Sequence, residues 1–159
     1  MDKDICIKLS MTGIAVVFLM AIGFKIAAAA EMPTIIDLTQ VPCQFIEAEN
    51  NVDQGFQTQK KADCDAINAQ SGDQRIAGSK VLELKPGKYI FRVTNKSVPY
   101  ELGFWLRGKG LGRVTLPSVS GGGLTPGVTK DYAIELEAGD YYYSCPLNTT
   151  PDYRLVVSG

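Results

Sequence analysis

The chain has no histidine among its 159 residues. That absence removes imidazole as a metal ligand and as a general base, and with it every Cys–His or Ser–His nucleophile pair. Methionine is scarce where it could serve a site: of four, only Met32 lies beyond the first thirty residues. An excess of one charge is missing as well. Sixteen Lys and Arg face seventeen Asp and Glu with no long basic stripe, so nucleic acid is not an expected partner. The glycine-rich run from Arg107 to Gly112 follows no Rossmann-type strand pattern and lacks the P-loop lysine context. Arg107 and Lys109 therefore read as part of a solvated loop, not a phosphate cradle.

The sequence itself begins with a pattern of export. Lys3 and Lys8, diluted by Asp2 and Asp4, precede an apolar stretch from Met11 to Phe24. That stretch has the length of a signal h-region and falls short of a comfortable membrane span. Ala28, Ala29 and Ala30 offer small residues for cleavage, so residues 1–30 read as a secretory signal and 31–159 as a single domain. The alternative is an uncleaved anchor, with Lys25 marking the membrane boundary. Cys6 sits in the n-region rather than after a cleavage motif, which argues against a lipid-anchored start. The remaining 129 residues carry 13 basic and 15 acidic side chains, a net charge of −2. They suffice for one domain with a proper core. A periplasmic or otherwise exported location follows.

Export sets how the cysteines are read. Cys43, Cys64 and Cys145 survive cleavage, and in an oxidising compartment two of three usually pair. Cys43–Cys64 is the expected disulfide, because both lie in the N-terminal third while Cys145 belongs to a different kind of motif. A loop of about twenty residues closed this way contributes roughly 3 kcal/mol in the chain-entropy model. Pairing of Cys145 with one of the two is the alternative.

From Lys80 onward the pattern is all-β. Val81–Leu84 alternates, Lys85-Pro86-Gly87-Lys88 is turn chemistry, and Tyr89–Val93 is a second strand. Tyr100–Leu106 holds the only tryptophan, Trp105. Arg113–Leu116 is a short strand candidate, and Ser118–Gly127 reads as loop from its glycines and Pro126. Tyr132–Glu137, Tyr141–Cys145 and Tyr153–Val157 complete the set, with Thr34–Leu38 and Gln44–Ala48 upstream. Period-2 alternation puts Tyr141 and Tyr143 on one face of their strand and Tyr142 on the other, one face filling the core and the other lying at the surface. Strands with short connections and no long helical pattern imply a two-sheet sandwich. The polar stretch 50–79 is an excursion from it. Within that stretch Lys60–Gln70 predicts a short helix with Ala62, Ala66 and Ala69 on one small, weakly apolar face.

The segments Tyr89–Asn95, Leu124-Thr-Pro126-Gly127-Val-Thr129 and Gly139-Asp-Tyr141-Tyr-Tyr143-Ser-Cys145, in that order, resemble the cupredoxins, the blue-copper family. The resemblance covers residues 80–157 and implies a Greek-key β-sandwich. It further implies a copper site built from an early histidine after an Asn-containing bend, then cysteine, histidine and methionine on one late loop. Here those places hold Tyr100, Cys145, Asn148 and Tyr153. One thiolate with two phenols and an amide suits copper or zinc poorly, so the expectation is a cupredoxin-like domain without a type 1 centre and without a cofactor. In the family this end is also the docking patch for redox partners. By that resemblance Tyr100, Pro146, Leu147, Pro151 and Tyr153 form a candidate protein-binding surface, with simple plugging of the site as the alternative.

Other readings fit less well. Tyr143-Ser-Cys145 also resembles the Tyr-x-Cys corner of immunoglobulin domains, but Trp105 lies too far past Cys64 for that fold. A three-cysteine metal site conflicts with the disulfide. A catalytic Cys145 has no histidine and no neighbouring cation in sequence to activate it, so enzyme activity is not expected; such an enzyme would show rapid alkylation of this thiol. The expected function is an accessory, protein-binding subunit of a redox or membrane complex. The alternative is electron transfer through copper held by Cys145 and ligands from a partner, with Glu101 as the nearest further oxygen in the chain.

Overall fold

The computed structural model describes residues 32–159, and the expected signal at 1–30 lies outside the described residues. Alternating strands build two sheets, because each strand carries one apolar face that must be covered by another layer. The first sheet runs in the order β2 (Gln44–Phe45), β1 (Thr34–Val41), β4 (Gly87–Asn95), β7 (Thr129–Leu136). The second runs β3 (Leu82–Leu84), β9 (Tyr153–Val157), β8 (Gly139–Ser144), β5 (Leu102–Gly108), β6 (Val119–Leu124). β1 lies parallel to β4 and β3 parallel to β9, and the remaining pairs are antiparallel. The Pro86–Gly87 turn therefore does not close a hairpin: it carries the chain from the second sheet to the first.

The core lies between the sheets and is aromatic. Tyr89, Phe91, Val93 and Asn95 of β4 point inward in strict alternation. Phe104 stacks on Phe91 at 5.6 Å between ring centres and meets Phe45 edge-on at 6.2 Å. Tyr141 and Tyr143 are buried and Tyr142 is not, as the alternation of β8 requires. Each large side chain fully buried in this way contributes roughly 1.5–3 kcal/mol relative to exposure. Core, sheets and disulfide all lie inside Glu31–Gly159, which forms a compact unit of its own.

Four expectations of local structure are corrected. Gln44–Ala48 is a two-residue strand followed by a 3-10 turn at Glu47–Glu49. The excursion helix α1 spans Lys61–Ala77, longer than expected, and Ala62, Ala66 and Ala69 are exposed. Its covered side is set by Cys64, which is buried in the disulfide, and by Arg75, whose guanidinium reaches into the sandwich. A covalent tether, a guanidinium and Ile76 packed against the core outweigh a thin stripe of alanines. Asp63 opens the helix by accepting the Gln59 and Lys60 backbone N–H groups at 2.8 and 3.1 Å. Arg113–Leu116 is not a strand but part of a helical turn, α2 (Gly112–Thr115).

The glycine-rich segment before Pro126 is strand β6 rather than loop. An edge strand needs hydrogen bonds on one side only, which β5 supplies. A Cβ at Gly121 would stand 3.0 Å from Cε1 of Tyr132, whose ring lies over it and would have to give way.

Candidate functional site

Asn95, the last residue of β4, builds the bend that delivers Tyr100. Its amide nitrogen donates to the carbonyls of Val98, Tyr100 and Leu124 at 3.0 to 3.2 Å, and its oxygen accepts the Val98 N–H at 2.9 Å. One fully buried amide thus fixes three chain segments. At the other side of the site, β8 ends at Ser144 and releases Cys145 into a tight turn. Thr150 closes that turn, its hydroxyl accepting the Cys145 N–H at 2.9 Å.

The Cys145 thiol is buried and unpaired. It accepts N–H groups from Gly103 at 3.4 Å and Asn148 at 3.2 Å. The first contact exists because β5 shifts register between Leu102 and Phe104, leaving the Gly103 peptide free of the ladder. The carbonyl of the same residue takes the Gln40 side-chain N–H at 2.9 Å. Burial pushes the Cys145 thiol up, and the backbone N–H bonds offset that only in part. A neutral, sheltered thiol is the outcome.

Asn148 is the centre of the arrangement. Its side-chain nitrogen donates to the Val41 carbonyl at 2.9 Å and its oxygen accepts the Cys43 N–H at 3.1 Å. The amide therefore pairs with the turn between β1 and β2 as a strand's backbone would. The same oxygen accepts the Tyr100 hydroxyl at 3.3 Å and touches the Cys64 sulfur at 3.3 Å. The latter is a packing contact, since a disulfide sulfur has no proton to give. The expected bond between Cys43 and Cys64 is present, closing a span of 21 residues.

The sequence-derived residues are thus brought together in part. Tyr100, Asn148, Cys145 and the disulfide converge. Tyr153 does not: its hydroxyl points to Glu49 and Arg75, away from the sulfur. The Arg75 guanidinium meets the Glu49 carboxylate at 2.5 Å, with side chains only 8 % and 5 % exposed. It also donates to the Cys43 carbonyl and the Asn68 side chain, both at 2.8 Å. Glu49 and Arg75 escape sequence reading because a polar stretch gives no sign that two of its charges turn inward.

The docking patch also needs correction. Tyr153 is wholly buried, and Tyr100 is half-covered by Thr58, whose hydroxyl lies 3.4 Å from the Tyr100 oxygen. The 50–79 excursion lies over this end, and Asn68 of α1 donates to the Thr149 carbonyl. Pro146 and Leu147 remain exposed, and Pro151 is half-buried. Glu101 turns outward and accepts the Gly123 N–H at 2.7 Å.

Copper is the group this fold implies, and the donors can be tested against it. The single sulfur is held as a neutral thiol. The amide of Asn148 and the phenol of Tyr153 spend their polar atoms on protein partners, and neither is a good ligand for a soft cation. The residues at these places do not fit a type 1 centre. Among the described residues, no cluster of three or more Cys, Asp or Glu is arranged to hold a metal ion.

Two sheets in this strand order, an asparagine-held bend after β4 and a cysteine leaving β8 into the last loop define a cupredoxin-like β-sandwich. No protein-family model matches the sequence, and no curated protein does either. Among solved structures, the chain is similar to auracyanin B over 82 % of its length and 94 % of that chain, with TM-score 0.49 and 12 % identity. It is similar to reduced rusticyanin over 80 % of its length and 82 % of that chain, with TM-score 0.42 and 16 % identity. Among the described residues no helix is long and apolar enough to cross a membrane.

The titratable groups of the site give a pH profile. With no imidazole in the chain, stability is expected to change little between about pH 5 and about pH 8. Above that range it falls. Burial raises Cys145, Tyr143 and Tyr153 above their ordinary values. The unfolded thiol ionises near about 8.5 and the phenols near about 10. Between each unfolded value and the higher folded one, the unfolded chain binds fewer protons, so unfolding becomes easier as pH rises. The full stability is present below about 8.5 and is progressively lost above it. Melting temperature measured against pH checks this; a marked step between pH 5 and 8 would contradict it.

Proposed function

We propose that this chain is an exported cupredoxin-like module without a type 1 copper centre, working by binding another protein as an accessory subunit of a redox or membrane complex. The observation that supports it best is Asn148. At the place of a copper ligand stands an amide whose oxygen and nitrogen both bridge to the β1–β2 turn, tying three cysteine-bearing segments into one plug. A site filled this way stiffens the end of the sandwich instead of exchanging a ligand. Binding rather than catalysis also accords with a buried thiol that has no base beside it.

The partner would meet what the excursion leaves open, chiefly Pro146 and Leu147, the latter 42 % exposed. The complex recovered from the exported compartment is expected to dissociate for Leu147→Asp while the isolated domain stays folded. A chain that runs as a monomer in such extracts would end the subunit reading.

The second reading, copper held by Cys145 with ligands from a partner, draws on the two N–H groups already bonded to the sulfur, an arrangement that favours thiolate once desolvation is relieved. Copper titration separates the two. Equal uptake by the wild type and Cys145→Ser, with no thiolate-to-copper absorption, is expected. Stoichiometric uptake that needs Cys145 and brings that absorption would overturn the metal-free reading.

A further inference from the structure

The connection from β5 to β6 forms a projecting knuckle at the opposite end of the second sheet from Cys145. Strand β5 begins beside the thiol at Gly103 and ends at Gly108, roughly 17 Å further along at about 3.4 Å per residue. On the knuckle Leu111 is 88 % exposed and Val114 84 %. They stand three residues apart on one helical turn, so their side chains are neighbours. Isolated exposed apolar residues need no explanation, but a mounted pair invites one.

The mount is rigid. Gly108 packs so closely on the next turn that a Cβ there would lie 2.2 Å from the Gly112 carbonyl oxygen. The Lys109 N–H donates to the Asp140 carbonyl at 2.8 Å, and Leu116 folds back against Gly112 and Gly139. The turn is therefore held with its two apolar side chains outward by the same contacts that partly cover Leu116.

A cationic and aromatic collar lies behind the pair. The Arg113 guanidinium sits 4.7 Å from the ring centre of Trp105, and the Lys109 ammonium 5.6 Å from that of Tyr142. Arg107 stacks on Trp105 as well, at 4.0 Å, but is neutralised by Asp152 at 2.6 Å. Asp140 faces Arg154 at 4.0 Å. The five ion pairs among the described residues leave out Lys109 and Arg113. Two uncompensated cations thus flank two exposed apolar tips, on a domain whose net charge is −2.

The geometry points to a docking surface for an anionic lipid bilayer: Leu111 and Val114 enter the headgroup–acyl boundary, and Lys109 and Arg113 meet the lipid phosphates. Apolar tips with cations beside them match the make-up of a segment that lies on a membrane surface. A protein interface would call for a broad patch of about 800 Å² per partner, and a single turn of helix supplies much less. Docked this way, the Cys145 end faces away from the lipid. The inference does not depend on whether that end holds metal.

The test uses residues 31–159 and vesicles of neutral phosphatidylcholine, alone or with roughly one third phosphatidylglycerol. Two cations near an anionic surface should favour the mixed vesicles by roughly 25-fold at low salt, with most of this lost as salt shortens the screening length. Co-sedimentation reads the affinity. Leu111→Ser/Val114→Ser should lower the affinity for both kinds of vesicle, and Lys109→Gln/Arg113→Gln should abolish the preference, while unchanged circular dichroism shows that these surface variants fold. No preference for the anionic vesicles, or one that survives Lys109→Gln/Arg113→Gln, overturns the inference. So would self-association relieved by Leu111→Ser/Val114→Ser without vesicle binding, which would make the knuckle a contact between copies of the chain.

Discussion

Arg75→Ala should lower the free energy of unfolding by about 3–5 kcal/mol, the usual cost of leaving one partner of a buried ion pair alone. The guanidinium serves five partners at once. It meets Glu49 through two nitrogens, donates to the Cys43 carbonyl and the Asn68 amide, lies 3.4 Å from the Tyr153 hydroxyl and stacks 5.0 Å from the Phe56 ring centre. Alanine would leave the Glu49 carboxylate in a site from which water is nearly excluded. It would also undo the contact that turns this face of α1 toward the sandwich. A loss of that size is a large share of a domain's total stability. Glu49→Gln/Arg75→Met, which leaves neither charge behind, should lie well above Arg75→Ala. Denaturant unfolding of the three proteins decides it, and an Arg75→Ala loss below about 1 kcal/mol, the level of an exposed pair, would show the network to be solvated.

Cys64→Ser should cost about 2–5 kcal/mol, the range for removing a native disulfide from a small domain. The entropic part, for a span of 21 residues, is roughly 3 kcal/mol. The remainder comes from the contacts the bond organises. Cys43 sits in a left-handed backbone conformation, φ 63°, and offers its N–H to Asn148 and its carbonyl to Arg75. Releasing it loosens both hubs, so α1 should become the first site of cleavage by protease while the sheets persist. Proteolysis coupled with denaturant melts, in oxidised and reduced protein, checks both parts. Equal stability with and without the bond would mean that Arg75 alone holds the excursion in place.

These two expectations concern the segment about which the sequence said least. Alternation along Tyr89–Val93, Tyr141–Tyr143 and Tyr153–Val157 was legible because a strand writes its buried face into every second residue. The cysteine pairing was legible from its place in the chain and the chemistry of export. The polar stretch before Lys80 carried no such periodicity. Its helix docks through one sulfur, one guanidinium, the Asn68 amide and Ile76, which together leave no apolar stripe to read. At the site, the asparagine and tyrosine substitutions were visible, but their use was not. Asn148 finds its partners more than a hundred residues upstream, and Tyr153 finds Glu49 104 residues upstream.

The amino-acid order alone determined that no imidazole chemistry can occur here, that the strands alternate as a sandwich requires, and that one thiol would sit in the last loop. These are properties of composition and of neighbours along the chain. Only the tertiary structure decided which polar atoms Asn148 and Tyr153 would satisfy, which face of α1 would be covered, and that Leu111 and Val114 would stand in solvent. Each of those depends on a buried polar group finding a partner from a distant segment, or failing to find cover, and that is settled only when the layers close.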